Sequence, residues 1–294
     1  MLRALFKAMR PKQWAKNVFL FAGLFFDGRV FELASLLAGI KAFLIFCLLS
    51  SAIYLINDLS DIERDRLHPT KKFRPLASGE LTPRVAQIAA AIILVVSLPS
   101  AFALDTLFGI ISVLYTTLMT LYTLVLKKIV IIDVMAVAAG YLLRVIAGAA
   151  AVHVSRFSPW LYVCTTLLAL FIAINKRRHE LSLLTENAHN HRSSLQEYSL
   201  AFLDNMTSLV TAATLVSYSF YTFSAPNLPQ NHSMMLTIPF VMYGIFRYLY
   251  LIHSKDLGGA PEDVVLGDRP LLIAALLWAL TAGCVIYASS LFSG

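Results

Sequence analysis

The sequence predicts an all-α integral membrane protein: a bundle of nine transmembrane helices, N-terminus in the cytoplasm and active site at the cytoplasmic face. Three observations predict it. The 294 residues are 58% hydrophobic and 14% charged, with a mean hydropathy of +0.72, too little polar surface for a soluble domain of this size. Apolar stretches able to cross a hydrocarbon core of about 30 Å recur along the chain, with a helical rather than an alternating period. Most of the 24 Lys and Arg fall on alternate connections, and positive charge marks the cytoplasmic side.

The elements follow in order. Arg3, Lys7, Arg10, Lys12 and Lys16 crowd the N-terminus, and a first span is expected at about 14–31. No small-residue cleavage site follows it, so it reads as a span and not as a leader. Further spans are expected at 36–56, 85–104, 106–126, 131–152, 159–175, 203–223, 234–252 and 270–291. Outer connections are short (DGRVFE, ALDT, HVSRFSP, APNLPQNHS), and the inner ones, about 57–84, 175–202 and 253–270, hold nearly all ionisable residues. The whole chain, 1–294, reads as one membrane-embedded domain. Cys47, Cys164 and Cys284 fall inside expected spans, which favours apolar packing over a disulfide or zinc site. The net charge of +7 is explained by its one-sided distribution, not by nucleic acid.

Charge concentrates at INDLSDIERDRLHPTKKFRPLASGEL, residues 56–81. At about 100° per residue, Asp58, Asp61 and Asp65 share one helical stripe, while Glu63 and Arg66 point elsewhere. Three carboxylates repel unless a cation sits among them. Mg²⁺ takes oxygen ligands and bridges to substrate phosphates; the plainer alternative is a solvated helix end balanced by arginines. Pro69 and Pro75 then predict an ordered, non-helical loop. Lys71, Lys72 and Arg74 in it suit phosphate contacts, Arg74 two oxygens at once, or else they are positive-inside charge meeting anionic lipid. In NKRRHEL (175–181), Lys176, His179 and Glu180 share a face with Arg177 at its edge, and Lys176–Glu180 is also an i,i+4 ion pair. Arg144 lies inside a span, where a charge is functional or is paired, with Asp133 a possible partner. Glu262, Asp263 and Asp268 either close over a site or form a polar loop.

Asn57-Asp58-x-x-Asp61-x-x-x-Asp65, the following Arg74-Pro75 loop and the nine spans together resemble the UbiA superfamily of intramembrane prenyltransferases. RPKQWAKN, the 57–79 segment, LKKIVIIDVMAVAAGYLLRVIAGAAA, NKRRHEL and APEDVVLGDR resemble its decaprenyl-phosphate phosphoribosyltransferase-like branch more closely, over about residues 9–270. The resemblance implies a bacterial inner-membrane enzyme, Mg²⁺-dependent, that moves 5-phosphoribose from phosphoribosyl diphosphate (PRPP) to a polyprenyl phosphate of cell-wall precursor synthesis. It implies that Asp58, Asp61 and Asp65 hold the metal, with Asn57 assisting. It implies roles at the reacting centre for Lys176 and Arg177, and substrate contacts for Lys16, Lys71, Arg74, Tyr122, Lys127, Arg144 and Glu180. One departure is informative. Ordinary members carry a second D-x-x-x-D motif for a second Mg²⁺; here that loop reads Asn175-Lys176-Arg177-Arg178-His179-Glu180, with one carboxylate. A basic pocket suits PRPP, which carries a separate phosphate on C5. The rival readings are a prenyltransferase acting on an aromatic acceptor and a transporter of organic anions. Oligomeric state is left open.

Overall fold

A computed structural model describes residues 1–154, 158–184, 195, 197–226, 228–255 and 261–292; in 183–184, 261–262 and 288–292 it describes the backbone alone. Arg156, Arg192 and the Glu262 side chain lie outside the described residues. Among those described there are helices and no strands. Eight helices are long and apolar enough to cross a membrane, and the protein is a multi-pass membrane protein.

Two compact units emerge. The first holds most of residues 1–154. It opens with α1 (Leu2–Ala8), a 3-10 helix at Pro11–Leu20 and α2 (Phe21–Phe26), whose last two residues belong to the second unit. It continues with α3 (Leu33–Ser60), α4 (Ile62–Leu67), α5 (Pro83–Leu104), α6 (Thr106–Leu124) and α7 (Ile132–Ala151). The expected span at 14–31 is therefore not one long α-helix. The 3-10 rise of about 2.0 Å stretches ten residues over roughly 20 Å, and side chains on both flanks fix this geometry. Trp14 Nε1 donates to Ser51 Oγ at 3.0 Å, and Asn17 Nδ2 donates to Ser50 Oγ at 3.3 Å, both on α3. On the α7 side, Gly148 brings its backbone against Leu20: a Cβ there would lie 1.9 Å from the Leu20 carbonyl oxygen.

Leu20, Phe46, Phe108, Tyr115 and Ala147 form one apolar core of this unit. A second cluster joins Ala4 and Ala8 of α1 to Leu55 of α3, to Leu76 and Leu81 of the connecting loop, and to Ala86 and Ala90 of α5. It fixes the N-terminal helix and the basic loop beside the end of α3. Pro83 at the first turn starts α5 where its missing N–H costs nothing, and Asp105 caps α6 by accepting from Phe108 N at 2.8 Å. Outward positions of α5, among them Ile88, Ile92 and Val95, are exposed and apolar, as a lipid-facing surface requires.

The second unit holds α8 (Pro159–Leu184), α9 (Leu200–Ser224), α10 (Ile238–Lys255), α11 (Pro261–Gly267) and α12 (Arg269–Phe292). Tyr218 binds it internally: its hydroxyl meets Thr237 Oγ1 at 2.5 Å and accepts from Trp278 Nε1 at 2.7 Å. Asp268 precedes α12, accepts from Leu271 N at 2.9 Å and takes two hydrogen bonds from Arg247, at 2.8 and 3.1 Å. The Arg247 hydrogen bonds hold the Asp268 carboxyl below its usual range. A lowered carboxylate pKa stabilises the fold above the unfolded-state value and ceases to do so as pH falls through the folded one. Thermal stability should thus drop more steeply below about pH 4 in the wild type than in Asp268→Asn, which keeps the cap and loses the charge. Equal acid limbs in a melting series from pH 3 to 6 would contradict this.

Candidate functional site

The end of α3 carries the carboxylate stripe. Helical bonding continues through it, from Asp61 N to Asn57 O at 3.0 Å and from Asp65 N to Asp61 O at 2.8 Å. Asp61 itself has φ −107 and ψ 9, a break between α3 and α4 that bends the stripe without ending it. Asp58 is 2% exposed and Asp65 4%, so each buried carboxyl needs a polar partner.

Each carboxylate has a cation. Arg10 forms an ion pair with Asp58. Arg74 Nη1 bridges two of them, 3.2 Å from Asp58 Oδ1 and 2.6 Å from Asp65 Oδ2. Lys127 Nζ donates to both oxygens of Asp61 at 2.8 Å and is itself 2% exposed. Glu63 and Arg66 pair with each other at 2.8 Å on the exposed side, as the helical period predicts. A cleft of about 370 Å³ opens where Asp61 meets Lys127; Ser60, Arg64, Thr123 and Lys128 also line it.

One of these cations sits on unusual backbone, and another lies shortly before such a position. Arg10 has φ +55 just before Pro11, and Ile131, four residues after Lys127, has φ +68 with ψ −47. With Ile132 N donating to Val130 O at 2.8 Å, Ile131 sits at the centre of a three-residue turn that is rare and strained. Such strain persists only where surrounding structure fixes it, and it concentrates at functional sites.

The remaining candidates of this unit are placed as follows. Asn57 and Lys71 are half-buried on either side of α4, Lys71 in a single 3-10 turn that leads to Arg74. The loop is ordered as the prolines predict: Ser78 N donates to Arg74 O at 2.8 Å and Leu81 N to Pro75 O at 2.9 Å. Lys16 is half-buried on the Pro11–Leu20 helix, and Tyr122 is half-buried in the last turn of α6. Arg144 does not pair with Asp133. It is 6% exposed and donates to Asn17 Oδ1 at 2.9 Å, to Gly140 O at 2.9 Å and to Tyr115 OH at 2.8 Å. Its guanidinium also lies over the rings of Tyr115 and Tyr141. Arg144 meets its three acceptors from three separate nitrogens, whereas lysine gathers its donors on one shorter-reaching nitrogen, so Arg144→Lys should lower stability by about 3 kcal/mol, the cost of orphaned buried polar groups. A melting temperature within a degree of wild type would refute this role.

In the second unit, NKRRHEL lies on α8. Asn175 is fully buried, with Nδ2 on Phe171 O at 2.8 Å. Glu180 accepts from Arg177 Nη1 at 2.6 Å, an i,i+3 contact beside the i,i+4 spacing to Lys176 that the sequence offers. Arg177 is 3% exposed and Lys176 half-buried. Arg178 pairs with Asp204 at 2.5 Å.

Sequence reasoning missed Arg10. Its neighbours in RPKQWAKN read as positive-inside charge, and only the fold brings it 48 positions along the chain to Asp58. The Arg-Pro step was the available signal, since a residue before proline is conformationally restricted.

A carboxylate-bearing helix end, countered by half-buried Arg and a buried Lys in a membrane protein whose described elements are all helical, defines a class. The chain belongs to the UbiA prenyltransferase family, whose profile matches residues 17–262, and is a transferase of that family. It is 33% identical to the decaprenyl-phosphate phosphoribosyltransferase of Mycobacterium tuberculosis, over 95% of this chain and 93% of that one. It is 34% identical to the protein of the same name from Mycolicibacterium smegmatis, over 98% and 94%. The fold matches a solved UbiA homologue from Archaeoglobus fulgidus bound to GPP and Mg²⁺, with TM-score 0.75 at 19% identity, over 96% of this chain and 99% of that one.

Proposed function

We propose that this protein transfers 5-phosphoribose from PRPP to a polyprenyl phosphate of decaprenyl type, releasing diphosphate, at the cytoplasmic face of a bacterial inner membrane. The reading places the N-terminus inside and has the Pro11–Phe26 segment complete a ninth crossing. The observation that carries it is the make-up of the two charged segments. One has three carboxylates gathered at a helix end; the other has a single carboxylate, Glu180, already engaged by Arg177. That supports one metal and one basic phosphate site, as a donor with phosphate at both ends requires. The relatives named for phosphoribosyl transfer match along nearly their whole length, which supports the same donor.

Asp58, Asp61 and Asp65 carry the hard oxygen donors that Mg²⁺ takes, although among the described residues no three such side chains are grouped as a metal site; the Arg10, Arg74 and Lys127 groups beside them support a place for positive charge there. Asp58, Asp61 and Asp65 would hold the ion, with Asn57 assisting; when bound, it neutralises diphosphate and eases its departure. Arg74, Lys71 and Lys127 would stabilise the leaving diphosphate, with Lys16 and Tyr122 as further contacts. Lys176 and Arg177 would bind phosphate, with Glu180 orienting Arg177, and Arg144 would hold the site's inner wall. In the reaction a lipid phosphate oxygen forms a bond to ribose C1 as the C1–O bond to diphosphate breaks. The nucleophile is already an anion, so no general base is needed.

Purified protein given PRPP labelled in its diphosphate should release labelled diphosphate only when polyprenyl phosphate is present. Chelation with EDTA should stop release and Mg²⁺ should restore it. Release independent of the lipid, or undiminished by EDTA, would overturn the reading.

A further inference from the structure

We propose that Arg10 is a resident counter-cation of the metal site, one that occupies Asp58 until Mg²⁺ enters and then turns to the incoming diphosphate. The inference rests on the metal reading above and adds an order to it: metal and anion bind together, each relieving a cost that the other meets alone.

Charge balance comes first. Asp58, Asp61 and Asp65 face Arg10, Arg74 and Lys127, three negative charges against three positive. A divalent cation entering a balanced set must displace a partner, because like charges at contact distance in a poorly solvated site are strongly unfavourable. The three cations are not equally easy to move. Lys127 is 2% exposed and donates to both oxygens of Asp61. Arg74 serves two carboxylates and is closest to Asp65, at 2.6 Å. Arg10 serves one carboxylate and otherwise rests on the face of Tyr54, 4.8 Å from the ring centroid. It is about as exposed as Arg74, 23% against 25%, and has fewer bonds to lose.

The backbone supports the same assignment. Ala4 and Ala8 lock α1 against Leu55, Leu76 and Leu81, and Trp14 and Asn17 fix the 3-10 helix after it. Arg10 sits between these anchors with φ +55, so the main chain stays while the side chain can swing. A displaced guanidinium therefore remains beside the site, where its planar donor fork suits phosphate oxygens. Arg10 thus acts as a positioning residue that couples two ligands through one carboxylate.

Mn²⁺ binding measured by electron paramagnetic resonance on the purified full chain tests this, with no donor present. Arg10→Gln should bind Mn²⁺ at least about tenfold tighter than wild type, within the usual range of coupling between sites. Arg10→Lys, which keeps the charge, should stay near wild type, as should Arg66→Gln on the solvent side. The same Arg10→Gln substitution should weaken capture of preformed Mg²⁺–diphosphate, measured by calorimetry. A role confined to fold stability would not move these two affinities in opposite directions. Mn²⁺ affinity unchanged or weaker in Arg10→Gln overturns the inference while leaving the metal reading intact. If neither wild type nor Arg10→Gln binds Mn²⁺ in a way that Asp61→Asn abolishes, the metal reading falls and this inference with it.

Discussion

Asp61→Asn is expected to lower phosphoribosyl transfer by on the order of 10³-fold, the scale of losing a preorganised charge at a reacting centre. Asparagine keeps one carbonyl oxygen and loses the charge. The substitution also touches stability, because Lys127 Nζ is buried and donates to both Asp61 oxygens. Removing one partner of a buried ion pair leaves the other charge poorly compensated, at a cost of about 3 kcal/mol. The two effects can be separated. Asp61→Asn combined with Lys127→Met should recover the melting temperature, since a similar volume of apolar side chain replaces the buried ammonium. It should recover none of the activity. If the double variant regains transfer, Asp61 serves the fold and not the chemistry.

Gly148→Ala is expected to be the most damaging small substitution in the first unit. The added Cβ would lie 1.9 Å from the Leu20 carbonyl oxygen and 2.6 Å from its carbon. These are backbone atoms at the end of the 3-10 helix, so no rotamer change relieves the clash. Overpacking of this kind costs about 3 kcal/mol, and here it pushes directly on the segment that carries Arg10 and Asn17. Gly140, on the same helix, is the control. A Cβ there meets the end of the Met119 side chain, 3.0 Å away, and methionine can yield. Gly148→Ala should lower the melting temperature in detergent by several degrees and reduce activity with it, while Gly140→Ala changes both little. Equal behaviour of the two alanines would show that the close approach of α7 to Leu20 is not a constraint.

The carboxylate stripe was legible because its signal is local. Asp58, Asp61 and Asp65 keep helical spacing, and backbone hydrogen bonds carry that spacing through the break at Asp61. The long apolar helices were legible for the same reason, each being a window of composition wide enough to read. Elements fixed by contacts distant in sequence were not. The segment at 14–31 has the composition of a span, yet Asn17, Trp14 and Leu20 are tied to α3 and α7, and those ties select the 3-10 geometry. Arg144 was correctly singled out as a charge within a span, but its partners lie 127 and 29 positions away, and Asp133 was only the nearest opposite charge in sequence. Arg10 was hidden by company: among five basic residues at the N-terminus, nothing local marks the one that reaches Asp58. At Glu180 both i,i+3 and i,i+4 partners were available in sequence, and the i,i+3 contact to Arg177 forms at 2.6 Å.

A single comparison separates PRPP from a prenyl diphosphate as the donor. Membranes containing the protein receive Mg²⁺ and, in parallel, ribose-labelled PRPP with polyprenyl phosphate or a labelled prenyl diphosphate with 4-hydroxybenzoate. A labelled phosphoribosyl lipid is expected in the first reaction and no prenylated aromatic in the second. An unlabelled lipid in the first together with a prenylated aromatic in the second would contradict it.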